Sequence, residues 1–153
     1  MIRKMSRFGI GPWFALISLI YAAIIFGISY FFLPLQFYLV SIIVNYVLGA
    51  VLVLSGLIFF SISAYQLHNN FNSGKLQTNG AYAFMRHPIY GTWIVFIVPG
   101  LVLIFPYLLG ITIPFVMYGI FRGLIVKEEK YLLKKFGKKY LEYTKKVHRV
   151  FPF

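Results

Sequence analysis

WFALISLIYAAIIFGISYFFL, residues Trp13 to Leu33, holds 21 consecutive positions without a charged side chain. At 1.5 Å per residue a helix of that length covers about 30 Å, the hydrocarbon thickness of a bilayer. The run is too long for the apolar segment of a secretory leader, and no small-residue cleavage site follows it, so the reading is a transmembrane helix. The rest of the 153-residue chain has the same character: 60% hydrophobic, 20% aromatic and only 12% charged, with a mean hydropathy of +0.81. A soluble domain does not have that balance. The chain reads as all-α, an integral membrane helical bundle forming a single domain over residues 1–153, with no internal repeat.

Working outward from the first span, Pro34 precedes a second apolar run at 37–67, long enough to cross with tilt and project beyond the lipid. Gly49 and Gly56, seven apart, share a face of it and are expected to permit close helix packing. Pro88 fits the first turn of a third helix at 88–105, where its missing N–H costs nothing, with Pro99-Gly100 as the expected kink. Pro106 marks a tight hairpin into a fourth helix at 107–126. About four transmembrane helices result, followed by an amphipathic helix at 127–145. In that helix Glu129, Leu132, Leu133, Phe136, Tyr140 and Tyr143 recur at helical spacing while lysines occupy the other sides. Asn45 is expected in an interhelical hydrogen bond, and His68 at the membrane interface.

Charge sets the orientation. Arg3, Lys4 and Arg7 precede the first span, Lys75 and Arg86 lie between the second and third, and nine of the fifteen cations fall between Lys127 and Arg149. The connections at Pro34 and Pro106 carry none. The positive-inside bias therefore predicts both termini and the 68–87 connection in the cytoplasm. A formal charge of +12 also raises nucleic acid as a partner. Cations concentrated beside membrane spans point instead to anionic membrane lipids, with no nucleic acid. The absence of cysteine excludes disulfides and thiolate chemistry, and three histidines and three acids without ligand spacing predict no metal site.

Two polar islands interrupt the apolar chain: Gln77–Tyr90, QTNGAYAFMRHPIY, and the acidic pair Glu128-Glu129. Polar groups near lipid are expensive and mark function by default. Asn79-Gly80 is a turn pair in which Gly80 can take a positive φ, folding Tyr82, Arg86 and His87 back toward the membrane surface. Arg86 offers a fork of donors for a carboxylate; His87 offers one donor and one acceptor. For Glu129, a salt bridge to Arg122, one heptad earlier on the same helical face, is the purely structural alternative.

The stretch GAYAFMRHPIYGTW at 80–93, followed by EEKYLLKKFGKKYLEYTKKVHRVFP at 128–152, resembles the isoprenylcysteine carboxyl methyltransferase family and its relatives among membrane phospholipid methyltransferases. The likeness covers Leu76 to Pro152. It implies S-adenosylmethionine bound at the cytoplasmic face and a lipophilic or lipidated acceptor entering from the bilayer. By carry-over Gln77, Ala81, Tyr82, His87, Pro88 and Tyr90 line the cofactor pocket, Glu128 and Glu129 hold its polar groups, and Arg86 and Arg122 steer a substrate anion. Two departures bear on the acceptor: Gly91 directly follows Tyr90, leaving Thr92 where the family often has glycine, and Phe105-Pro106 replaces an Asn-Pro of eukaryotic members. Membrane sterol reductases, which use a nicotinamide cofactor, share a related pattern, but the paired glutamates and the lack of cysteine point to methyl transfer. A non-catalytic protein of the same fold is the third reading, and the retained Arg86, His87, Glu128 and Glu129 speak against it.

Overall fold

The computed structural model describes residues 9–73 and 75–150, apart from the side chains of 70–73. The cations Arg3, Lys4 and Arg7 and the terminal Pro152 lie outside the described residues. Helix α1 is Gly11–Phe31, opened by Pro12 in its first turn, and α2 is Ile42–Ser73. A short α3, Ala81–Phe84, leads to α4, Pro88–Thr92, which continues through a π turn at Trp93–Ile97 into α5, Val98–Ile104. A 3₁₀ turn, Leu108–Ile111, precedes α6, Thr112–Phe136, and α7 is Lys138–Lys146. Three helical stretches, Gly11–Phe31, Ile42–Asn69 and Leu108–Phe136, are long and apolar enough to cross a membrane; Pro88–Ile104 is a shorter apolar helix. The protein is an integral membrane helical bundle.

The bundle is two helix pairs joined through α4–α6. Helix α2 packs along the Pro88–Ile104 helix, and α1 packs along α6. Glycine sets the first contact: a Cβ on Gly49 would stand 2.7 Å from the Gly100 carbonyl oxygen, and one on Gly56 would stand 2.8 Å from Ile97 Cγ1. The two backbones touch where no side chain intervenes, the usual geometry of close packing in lipid. Just before Pro99-Gly100, where a kink is expected, the helix takes a π turn at Trp93–Ile97. Val98 N–H reaches back five residues to the Trp93 carbonyl, which accommodates a proline ring that cannot continue the ordinary ladder.

At the end of the bundle remote from the polar islands, the two uncharged connections are stitched together. Phe37 N–H donates to the Pro106 carbonyl at 2.9 Å, and Leu108 N–H to the Leu35 carbonyl at 2.9 Å. Asn45, fully buried, serves this connection and not a neighbouring helix: its Oδ1 accepts from Leu39 N–H and its Nδ2 donates to the Phe37 carbonyl. The unpaired backbone of a short linker next to lipid needs such a partner more than a helix does.

At the other end, helix α6 differs from the expected division at residues 126 and 127. It runs unbroken to Phe136, because nothing between Val126 and Phe136 interrupts a helix. Gly137 ends it, with φ +55° and ψ −128°, a conformation only glycine adopts readily. Glu128 and Glu129 therefore project from the last turns of the spanning helix itself. The core beneath them contains Phe14, Tyr90, Ile94, Met117, Phe121 and Ile125, and it also receives Val150 from the chain's return after α7.

Candidate active site

The site is assembled at the junction of α3, α4, α6, α7 and the chain that follows α7. Gly80, at φ +63°, turns the chain into α3 as its sequence context predicts. Ala81 N–H then donates to Gln66 Oε1 at 3.1 Å, tying the turn to α2. Met85 is extended, His87 stands at φ −127° and ψ 62°, outside both helix and extended regions, and Pro88 starts α4. The backbone N–H groups of Arg86 and His87 donate to the carbonyls of His148 and Arg149 at 2.8 and 3.0 Å. These two bonds make residues 147–150 a strap across the RHP segment, and Val150 anchors it, 1% exposed in the core. Tyr143 fastens α7 to the same region by donating its hydroxyl to the Tyr82 carbonyl at 2.6 Å.

Adjacent residues on a helix point about 100° apart, and the acidic pair divides accordingly. Glu128 turns toward α1 and α4. Its Oε2 accepts from Tyr90 OH at 3.1 Å and from Ile10 N–H at 3.2 Å, while Oε1 lies 3.7 Å from His87 Nδ1. Glu129 turns toward the strap. It accepts from Arg149 Nε at 3.0 and 3.1 Å and from Arg149 Nη2, stands 3.0 Å from Arg86 Nη1, and lies 3.5 Å from His87 Nε2. His87, 4% exposed, thus stands between the two carboxylates. Arg149, bonded to Glu129, holds its proton more firmly than an ordinary arginine.

A cavity of about 760 Å³ opens between these groups and the ends of α1, α2, α6 and α7. Its polar lining includes Glu128, His87, Arg86, Tyr82 and Gln77, and its apolar walls include Phe60, Leu132 and Phe136. Burial, with the Glu128 charge adding to it, pushes the Tyr82 hydroxyl well above the ordinary tyrosine range. The Tyr140 hydroxyl is pushed up to about 12 by burial and by Glu129, against an opposing effect of Arg86. Both phenols are therefore neutral hydrogen-bonding groups at physiological pH. A smaller notch of about 400 Å³ shares Arg86 and Tyr140 with this cavity and contains Glu129 and Arg149.

Of the residues singled out from sequence, Gln77, Tyr82, Arg86, His87, Tyr90 and Glu128 border the large cavity. Glu129 borders the smaller notch instead. Ala81 and Pro88 are buried and line neither, acting as the supports of Tyr82 and of the start of α4. Arg122 is exposed on α6, borders neither cavity and makes no salt bridge to Glu129, which is taken by Arg86 and Arg149. His68, expected at the membrane interface, borders the large cavity. Arg149 and the Ile10 N–H were not singled out. Arg149 lies within the resembling stretch, but only the turn at Gly137 and the strap bring it back to Glu129.

The described residues contain no group of three or more potential metal ligands. What the site offers is a carboxylate, a guanidinium and an imidazole beside tyrosine and phenylalanine rings, at the mouth of an apolar cavity. Such a set of polar groups at the mouth of an apolar cavity has the general make-up of a small-molecule site. The model of the isoprenylcysteine carboxyl methyltransferase family matches residues 37–134, and the chain belongs to that family. Among relatives, it is 37% identical over 79 residues to the probable protein-S-isoprenylcysteine O-methyltransferase of Oryza sativa subsp. indica, covering 52% of this chain and 41% of that one. It is 32% identical over 113 residues to the protein-S-isoprenylcysteine O-methyltransferase of Dictyostelium discoideum, covering 68% and 48%. The human protein-S-isoprenylcysteine O-methyltransferase is 29% identical over 116 residues, covering 70% and 41%. The chain thus spans less than half the length of these relatives. The solved structure of the eukaryotic intramembrane Ras methyltransferase ICMT superposes with a TM-score of 0.64 at 22% identity, over 94% of this chain and 53% of that one, a likeness of fold.

Proposed function

We propose that this chain is an S-adenosylmethionine-dependent methyltransferase acting on a lipophilic acceptor, an isoprenylcysteine-like carboxylate or a lipid headgroup, at the cytoplasmic membrane face. The observation that carries the reading is Glu128: a carboxylate whose Oε2 is bonded on the protein side while the residue faces a cavity of about 760 Å³ with aromatic and aliphatic walls. A cavity of that size lies within the range of roughly 300–1,000 Å³ typical of small-molecule sites.

The residues fit the cofactor. Glu128 is placed to hold an ammonium. Tyr82, Tyr90 and Phe136 present ring faces suited to adenine or to a cationic sulfur. When bound, S-adenosylmethionine supplies an electrophilic methyl group, so no nucleophile is required of the protein. The chain's own tasks are then to orient the acceptor and exclude water. Arg86 pairs with an acceptor carboxylate, and the apolar walls keep the site dry, which weakens solvation of that anion. For an amine acceptor His87, between two carboxylates, is the group placed to take a proton.

The cytoplasmic assignment rests on charge. Lys127, Lys130, Lys134, Lys138, Lys139, Lys145 and Lys146 are all exposed at the site end of α6 and on α7, while the opposite connections are uncharged. Such a surface suits the anionic leaflet. The test is calorimetric titration of the detergent-purified chain with S-adenosylmethionine, S-adenosylhomocysteine and NADPH. Saturable binding of the first two alone is expected. Binding of NADPH alone moves the chain to reductase chemistry, and binding of none leaves a non-catalytic member of the fold.

A further inference from the structure

One face of α6 belongs to neither the core nor the large cavity. Phe115, Arg122, Val126, Lys130 and Leu133 follow one another at spacings of three, four or seven along it, and all are exposed. Phe115 is 72% exposed, Val126 39% and Leu133 38%, and the helix carrying them spans the membrane, so this face meets lipid. Arg122 makes no hydrogen bond or ion pair with the described residues. A guanidinium at that depth needs an anion or a route to the interface. Lys130 is two turns closer to the membrane surface, about 12 Å along the axis, and both side chains can extend toward the same level.

At that level lies the notch of about 400 Å³, with Arg86, Lys130 and Arg149 as its cations, Glu129 as its carboxylate, and Val126 and Leu141 among its apolar edges. Glu129 is already engaged by both arginines, so the notch has positive charge in excess. Its apolar edges run directly onto the lipid-facing side of α6. The combination fits a molecule with an anionic head and an apolar tail lying along the helix.

We propose that this notch and the α6 face leading to it form a binding site for one anionic phospholipid, its phosphate between Lys130, Arg149 and Arg122 and one acyl chain along Val126 and Phe115. The site is separate from the methyl-acceptor cavity. The two meet only through Arg86 and Tyr140, so a lipid seated here braces the far side of the residues that line the reaction cavity. A zwitterionic lipid presents no net charge to the excess cations and is discriminated against.

The experiment is native mass spectrometry of the full chain in detergent, titrated with phosphatidylglycerol or phosphatidylcholine of the same acyl chains. One phosphatidylglycerol is expected to be retained in preference to phosphatidylcholine. The double variant R122Q/K130Q is expected to weaken it about tenfold or more. The charge-matched K139Q/K146Q, on the flank of α7 opposite Leu141 and Thr144, is expected to bind within about twofold of wild type. Thermal unfolding midpoints of both variants near that of wild type establish that they fold. Equal weakening in the two variants, or no preference between the lipids, overturns the proposal in favour of diffuse attraction. Gly119 and Gly123 on this side of α6 have no heavy atom within 4 Å of a built Cβ. A dimer abolished by G119L, with no lipid retained, assigns the face to a second copy and overturns it as well. None of these readings depends on the methyl donor.

Discussion

Glu129 and Arg149 are expected to act as one unit, and a double-mutant cycle measures it. In E129Q the amide keeps one acceptor oxygen and turns an NH₂ toward a guanidinium, so part of the charge on Arg86 and Arg149 loses its counterion. Breaking a buried pair by removing one partner costs about 3–5 kcal/mol. Here the Glu129 side chain is 13% exposed and Arg86 12%, but Arg149 is 34% exposed and regains water, which lowers the figure to about 2–3 kcal/mol. R149A removes the bidentate contact and leaves Glu129 its bond to Arg86, a loss of about 1–2 kcal/mol. If the pair is coupled, E129Q/R149A is little worse than E129Q alone, and the coupling term is about 1–2 kcal/mol. Reversible unfolding in mixed micelles of rising sodium dodecyl sulfate fraction gives the four free energies. In R149A, hydrogen exchange at the Arg86 and His87 amides is also expected to accelerate, because their acceptors are the carbonyls of the same strap. Additivity within about 0.5 kcal/mol, with both amides still protected, refutes the view that the strap is fastened through this pair.

The neighbouring acid is expected to behave differently. E128Q keeps an oxygen for Tyr90 OH and Ile10 N–H, so unfolding shifts little, while affinity for S-adenosylmethionine falls about tenfold or more because a charge-assisted bond is lost; unchanged affinity in calorimetry removes Glu128 from the site. G100A places a Cβ 2.8 Å from the Gly49 carbonyl oxygen and 2.8 Å from Val53 Cγ2, and a loss of about 1–3 kcal/mol in the same micellar unfolding is expected, with a neutral result contradicting the close α2–α5 contact. Burial first, and then Glu129, raises the Tyr140 hydroxyl to about 12, above its value of 10.0 when unperturbed. Its contribution to stability is therefore complete below pH 10.0 and lost as pH rises toward about 12, so wild type is expected to weaken over that window more than Y140F; identical pH profiles refute the assignment.

What local pattern could reveal, it did. Pro88 marks a helix start because a first-turn proline sacrifices no bond, and Asn79-Gly80 marks a turn because Gly80 takes a positive φ cheaply. The spacing of Gly49 and Gly56 correctly placed them on a packing face, since a period of seven returns to the same side of a helix. Ends were harder. A lysine-rich stretch after Val126 looks like a separate surface helix by composition, yet a helix ends where its backbone is interrupted, and Gly137 is where that happens. The long-range pairs had no local signal at all: Ile10 and Glu128 are 118 positions apart and Arg149 and Glu129 are 20, joined only by how α1 lies on α6 and how the strap returns.

The division of labour within Glu128-Glu129 was different, because its physical basis was present in the sequence. Two consecutive residues on a helix point about 100° apart, so each acid is free to take partners of its own, and the helical setting already raised that question. The question stays hidden while the acids are treated as a motif and becomes visible once each is asked for its own partner. Glu128 meets only the Tyr90 hydroxyl, the Ile10 N–H and His87, which is why the proposed function gives it the ligand's ammonium. Glu129, against Arg86 and Arg149, is matched by cations and ties the RHP segment to the strap. An acid near lipid needs a reason, but the reason need not be a ligand: it can be the two arginines that would otherwise lack an anion.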